Sequence, residues 1–181
     1  MNHRYDARRL DVKAFVRDAG ALSGNEPLLD FPRLADLAQG EGADRRVTWE
    51  AQGEPVLDFT AVAPLRLRLQ AHAVLPLVCQ RCLEMADLEL SVSRSFRFVA
   101  DEAQAEELDE ECEDDVLVLE RNFNLHELVE DELIMALPLV PLHEDCPGEL
   151  KMSVADADFQ AEPEVKPHPF ASLAGLQTGK R

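Results

Sequence analysis

From Leu65 to Cys79 the chain follows a period of two. Leu65, Leu67, Leu69, Ala71, Ala73, Leu75, Leu77 and Cys79 fall on one side, and Arg66, Arg68, Gln70 and His72 on the other. A period of two belongs to a strand with one buried and one wet face, so this run predicts a half-buried antiparallel strand. After the turn CQRCLEMA the alternation resumes, with Leu88, Leu90, Val92, Phe96 and Phe98 against Glu89, Ser91, Ser93, Ser95 and Arg97. Two long strands joined across CQRC predict a hairpin with a cysteine pair at its tip. Arg94 interrupts the apolar face and, near a sheet edge, is expected to reach solvent along its own stem.

Shorter patterns flank this hairpin. Asp11 to Phe15 reads as an early strand and DAGALSGNEP as a turn-rich connection. Pro32-Arg-Leu-Ala-Asp-Leu-Ala predicts a short helix with proline in its first turn, stopped by Gly40 and Gly42. VTWEA around Trp49 and VLDFTAV from Val56 to Val62 are two strand candidates, and Val116 to Leu119 is a short buried one. Asn124 begins a helix, with Glu127 completing an Asn form of the capping box and Leu125, Leu128, Val129, Leu133, Ala136 and Leu137 forming its apolar stripe. Pro138 ends that helix, and Pro138 and Pro141 keep the exit PLVPLHEDC extended. The expected fold is therefore α+β, an antiparallel sheet with a long hairpin, packed by one main C-terminal helix. Its expected divisions are an N-terminal segment over 1–44, a core over 45–148 and a tail over 149–181 with one short apolar docking segment in HPFASLAGLQ.

Charge alters this picture at one place. The 181-residue chain has a net charge of −18. Residues 1–100 carry 13 Lys+Arg against 14 Asp+Glu, residues 101–120 carry 0 against 11, and residues 121–181 carry 5 against 11. The run DEAQAEELDEECEDD over 101–115 has no core-forming pattern and is expected to be a flexible, solvated loop. A surface so acidic opposes tight nonspecific binding to nucleic acid, while it suits basic proteins. The longest apolar stretch, Ala61 to Cys79, is broken by Arg66, Arg68, His72 and two prolines, so it is not a bilayer-spanning helix. The opening MNHRYDARRLDVKAF has no apolar signal-peptide core, and the expected compartment is the cytoplasm, where four cysteines serve as thiols or metal ligands rather than disulfides.

Four residues carry the most specific chemistry. Cys79 and Cys82 in CQRC, and His143 and Cys146 in HEDC, form two close-spaced pairs that together have the composition of a Cys₃His metal site. Thiolate and imidazole donors on short bent backbone are what tetrahedral zinc requires. Three readings stay open from the residues alone: structural zinc, reduced cysteines continuing the buried strand face, or a redox CxxC. The last fits poorly, because redox motifs open a helix after a strand and this one joins two strands. With four protein donors a zinc would have no open position, so no catalytic role is expected for it.

No other cluster suggests catalysis. Glu130, Asp131 and Glu132 occupy successive helix positions, cannot converge on one substrate, and are expected on a solvated face. His126, in the first turn, is expected to be exposed, and Cys112 a bystander. No Gly-rich phosphate loop and no Ser/His/Asp arrangement is present. Arg66 and Arg68 share a strand face with His72, and Arg81 sits at the hairpin tip. These arginines are candidates for contact with RNA phosphate or an acidic partner, against the alternative that they pair with local carboxylates. Few aromatics accompany them, which weakens a base-stacking mode.

Taken in order, CQRCL after a long alternating strand, an acidic interval, VEDELIMALPLVPLHEDC and a terminal HPFASLAGLQ resemble the bacterial YceD family of large ribosomal RNA subunit accumulation proteins. The resemblance runs over roughly residues 45 to 176. It implies a cytoplasmic, non-enzymatic ribosome-biogenesis factor for synthesis, processing or stability of 23S RNA, with no membrane partner and no small-molecule substrate. The family's cysteine positions map onto Cys79, Cys82 and Cys146, and its histidine onto His143; no catalytic residue carries over. Two modes of action follow as expectations. The acidic run and helix face hold a basic ribosomal protein or processing factor, or the arginine-bearing sheet face touches ribosomal RNA directly.

Overall fold

The computed structural model describes residues 5–148 apart from 40, 56–64, 110, 111 and 113. The chain divides into the unit Met1–Pro147, which holds every element below, and the unit Gly148–Arg181. The strand candidate Val56 to Val62 and the apolar segment HPFASLAGLQ lie outside the described residues.

The predicted hairpin is the largest feature. β3, Leu65–Val78, pairs antiparallel with β4, Met85–Val99, in unbroken register from Leu65↔Phe98 to Val78↔Met85. The alternation has the expected sense: Leu67, Leu69, Ala71, Ala73, Leu75, Leu90, Val92, Phe96 and Phe98 are buried. β2, Arg46–Pro55, is twice the length that VTWEA suggested and joins the other side of β3. With β1, Ala21–Pro27, and β5, Asp115–Val118, the sheet has five strands in chain order. Among the described residues only the β4–β5 pair is parallel.

That parallel pair corrects the reading of the acidic run. Parallel neighbours need a crossover, commonly helical, and here it is α3, Glu102–Asp109, where a flexible loop was expected. Asp101 starts it by accepting the Gln104 amide at 3.0 Å, and acid in the first turn suits the helix dipole.

The N-terminal expectations also change. Asp11 to Phe15 is no strand. Asp11 caps the helix α1, Val12–Arg17, by accepting the Ala14 amide at 3.1 Å. Val12, Phe15 and Val16 are buried at helical spacing. The supposed turn-rich stretch after it becomes β1. Its Gly24 faces Trp49 across the β1–β2 pair, and a Cβ there would lie 2.4 Å from the indole Nε1. The glycine makes room for a ring rather than for a turn.

Helices α1, α2 (Pro32–Leu37) and α4 (Leu125–Met135) contribute Phe15, Leu34, Leu125, Val129 and Leu133 to the same core as the inner sheet face. Large apolar side chains so buried contribute about 1.5–3 kcal/mol each. The α4 cap forms in a variant of the predicted box, with Asn124 Oδ1 accepting the Glu127 amide and the Asn124 side-chain Nδ2, rather than its backbone N–H, donating to the Glu127 carboxylate, both at 3.2 Å. An isolated bridge between Leu10 and Phe123 ties the N-terminal segment to the start of α4. Among the described residues no helix is long and apolar enough to cross a membrane.

The acidic face of α4 is the second correction. Glu130 and Glu132 are buried, not solvated, and so is His126. α2 has no side-chain cap of its own. Glu130 supplies one from the far end of the chain, accepting the backbone amides of Arg33 at 2.7 Å and Leu34 at 3.2 Å. The same carboxylate accepts from the Arg33 side chain at 3.0 Å, and Asp131 takes a second guanidinium nitrogen at 2.5 Å. His126 stacks on Phe31, centroids 4.1 Å apart, with its Nε2 2.7 Å from Glu26. Glu132 has weaker support: Arg94 lies 3.7 Å away and also reaches toward Asp115 at 3.8 Å. Burial pushes the Glu132 carboxyl up, Arg94 pulls it down, and Asp115 and Asp131 push it up again, leaving it above its ordinary range.

These two carboxylates predict opposite mutational effects. Glu130→Ala removes the cap from the Arg33 and Leu34 amides, the latter buried, and leaves the half-exposed Arg33 guanidinium to Asp131 alone, and urea unfolding is expected to show a loss of about 2 kcal/mol; an unchanged midpoint would show the cap to be dispensable. Glu132 binds its proton more tightly in the folded state than in the unfolded state. Its contribution is therefore favourable in acid and is lost as pH rises through the folded pKa. Glu132→Gln is expected to stabilise the protein at neutral pH, with the gain shrinking as pH falls through the raised folded pKa and gone once pH is below the ordinary carboxyl range; a gain independent of pH would refute the assignment.

Candidate metal centre

The turn after β3 begins at Cys79, whose amide donates to the Glu84 carbonyl and whose carbonyl accepts the Leu83 amide, both at 2.9 Å. Leu83 closes this knuckle in the left-handed region at φ 64°, a cost that a bulky residue bears only where the surroundings hold it. The exit from α4 docks against the knuckle when Gln80 donates its amide to the Pro141 carbonyl at 2.9 Å. The extended path of PLVPLHEDC thus places His143 and Cys146 over Cys79 and Cys82.

All four predicted ligands converge. One donor atom from each of Cys79, Cys82, His143 and Cys146 lies within 4.8 Å of every other. The Cys79 and Cys146 sulfurs are 3.9 Å apart, and the Cys82 sulfur is 3.3 Å from His143 Nδ1. Zinc–ligand bonds of about 2.3 Å to sulfur and 2.0–2.1 Å to nitrogen give tetrahedral edges of roughly 3.8 and 3.5 Å, so both separations fit. The imidazole is oriented for the task. His143 Nε2 lies 2.9 Å from the Met85 carbonyl, which can only accept, so Nε2 carries the proton and Nδ1 turns its lone pair inward.

The sulfurs are unequal. Burial pushes the Cys79 thiol up, but the amides of Cys82, His143 and Arg81 and the His143 side chain outweigh it and hold Cys79 down at about 5. Burial and then the sulfurs of Cys82 and Cys79 push Cys146 up to about 11. Crowded thiols resist sharing negative charge, and a dication among them removes that resistance. The donor set therefore fits a metal ion that takes thiolate and imidazole in a closed tetrahedron. Cys79 lies against Cys146, and Cys82 against His143.

The arginines of the sheet are not gathered into a free basic face. Arg66 Nε lies 2.9 Å from the Asp114 carboxylate, which Arg97 approaches at 3.4 Å. Arg68 pairs with Glu54 at 2.9 Å, and His72 with Glu89 at 2.9 Å. Arg81 stands apart: its guanidinium is exposed at the hairpin tip, with Nη1 3.9 Å from the Cys146 sulfur. Asp114, expected to be solvated with the rest of the run 101–115, is instead nearly buried beneath two guanidinium groups. Its signal was the register, because Arg66 and Arg97 stand directly opposite one another, and opposed like charges need a counter-charge. Cys112 donates its thiol to the Asp114 carbonyl at 3.2 Å.

A family model described as large ribosomal RNA subunit accumulation protein YceD matches residues 67–177. A curated Haemophilus influenzae protein with the same description is 40% identical over 106 residues, which is 56% of this chain and 59% of that relative's length. No solved structure matches the chain.

Cobalt(II) titration of the reduced chain checks the geometry directly. One equivalent is expected to give intense tetrahedral ligand-field bands with thiolate-to-metal charge transfer. Cys82→Ser or His143→Ala should weaken both, whereas Cys112→Ser should leave them unchanged. Octahedral spectra would refute the site.

Proposed function

Because the chain belongs to the YceD family, we propose that it is a non-enzymatic, cytoplasmic ribosome-biogenesis factor supporting accumulation of 23S ribosomal RNA through a basic protein partner, either a ribosomal protein or a processing factor. The observation that carries the choice of partner is the neutralisation of the sheet arginines by Asp114 and Glu54. An RNA phosphate would have to displace a carboxylate already seated on each guanidinium, against the field of a chain carrying −18. A basic protein meets no such competition, and opposite charge speeds its association.

The Cys79, Cys82, His143 and Cys146 centre holds a structural zinc in this reading. Four protein donors leave no position for substrate or activated water, and its work is to pin the hairpin tip to the α4 exit. Two carboxylates of α4 are engaged too, Glu130 as a cap and Asp131 on Arg33. A second reading, direct contact with large-subunit RNA, rests on Arg81, which has no carboxylate partner among the described residues and sits beside the metal centre.

Two measurements test these assignments. Deleting the gene is expected to lower 23S relative to 16S RNA; an unchanged ratio would sink the role. Binding of the pure chain to 23S fragments is expected to be weak at all salt concentrations. Tight binding that falls steeply with salt, and is lost in Arg81→Glu, would favour the second reading. Metal analysis of the reduced protein should find one zinc per chain and none in Cys79→Ser.

A further inference from the structure

β5 is the last strand of the sheet and is paired on one side only, with β4. Among the described residues no backbone hydrogen bond reaches Val116, Leu117 or Val118 from the other side. A groove of about 470 Å³ runs there, between the start of α3 and the first turns of α4, and all three residues line it. Successive strand side chains point to opposite faces, so a groove that touches three in a row follows the strand's edge. It presents free backbone donors and acceptors, the template on which an extended segment adds as another strand.

The groove pairs an apolar floor with an acidic rim. Phe123 and Leu128 join the β5 side chains in half-buried positions along it. Exposed Glu102, Glu120 and Glu127 edge it from α3, the end of β5 and α4. Glu102 and Glu120 make no ion pair among the described residues, and Glu127 accepts only from its own helix cap. In sequence, residues 101–120 carry 11 acidic residues and no Lys or Arg. Such a field repels nucleic acid, and it repels a second copy of a chain carrying −18.

The geometry points to this groove as the docking site for an extended segment of a basic protein, added as a strand to β5. Its apolar side chains lie on the floor, and flanking Lys or Arg meet Glu102, Glu120 and Glu127. This inference rests on the reading that the chain works through a basic protein partner, and it states where and by what chemistry. Main-chain pairing supplies affinity without demanding one sequence, while the rim selects for charge.

The test uses the full chain and two synthetic probes, a peptide alternating Lys and Leu and a polylysine of equal charge. The Lys/Leu peptide is expected to bind more tightly, to weaken with salt, and to slow amide exchange at Val116 to Val118. Glu102→Lys combined with Glu120→Lys changes exposed positions only; it should weaken that binding by about tenfold or more, while losing the acid of the α3 first turn lowers the melting temperature only slightly. Equal binding of polylysine, protection elsewhere, or indifference to the double reversal would overturn the groove. Returning the double variant to cells lacking the gene separates the two levels. Full recovery of 23S RNA despite lost peptide binding refutes the groove and leaves the family role standing, and failed recovery supports the groove. No RNA defect in the deletion itself refutes the role.

Discussion

The β3–β4 ladder is the constraint on which the remaining structure depends. Its register, Leu65↔Phe98 through Val78↔Met85, puts every inward side chain of both strands on one face. A slip by one residue would turn Leu67, Leu69 and Phe96 to solvent and Arg66, Arg68 and Arg97 to the core. The same register sets both ends of the molecule's chemistry. At the tip it leaves Cys79 and Cys82 in a knuckle open to His143 and Cys146. At the other end it places Arg66 opposite Arg97, and the acidic segment after α3 answers with Asp114. Helices and edge strands then fill positions that this ladder defines.

Carboxylates do two kinds of work in this acidic chain. Some are built into the fold: Glu130 caps α2, Asp114 neutralises two arginines, and Glu26 meets His126. Each satisfies hydrogen-bond donors that would otherwise go unpaired. Others, such as Glu102, Glu120 and Glu127, remain exposed along the β5 edge. The division explains how a near-balanced first hundred residues and a strongly acidic remainder give a surface whose bases are largely engaged and whose acids are available.

The Cys₃His cluster joins segments with exposed apolar residues, Leu83, Leu139 and Val140. The Gln80 to Pro141 hydrogen bond, the His143 to Met85 contact and the convergence of four donors hold the α4 exit against the hairpin tip. A metal ion would suit such a place, because four short bonds would supply what a small apolar contact lacks.

The sequence by itself determined the β3–β4 hairpin, the capped helix α4, the α2 helix and the Cys₃His set, because each is written in a local period or a short spacing. Tertiary structure decided the rest. Asp11 to Phe15 became helical because Asp11 could cap it and Phe15 and Val16 could reach the core together. The stretch after it became β1 because β2 offered an edge and Trp49 needed a glycine opposite. Residues 102–109 became a helix because a parallel β4–β5 pair demands a crossover. Glu130, Glu132 and His126 carried the pattern of a solvated face. Their burial depended on Arg33, Arg94, Phe31 and Glu26, residues that local pattern does not connect to them. Periodicity reports which face of an element is apolar; only the folded chain decides which distant donor or charge a polar side chain will meet.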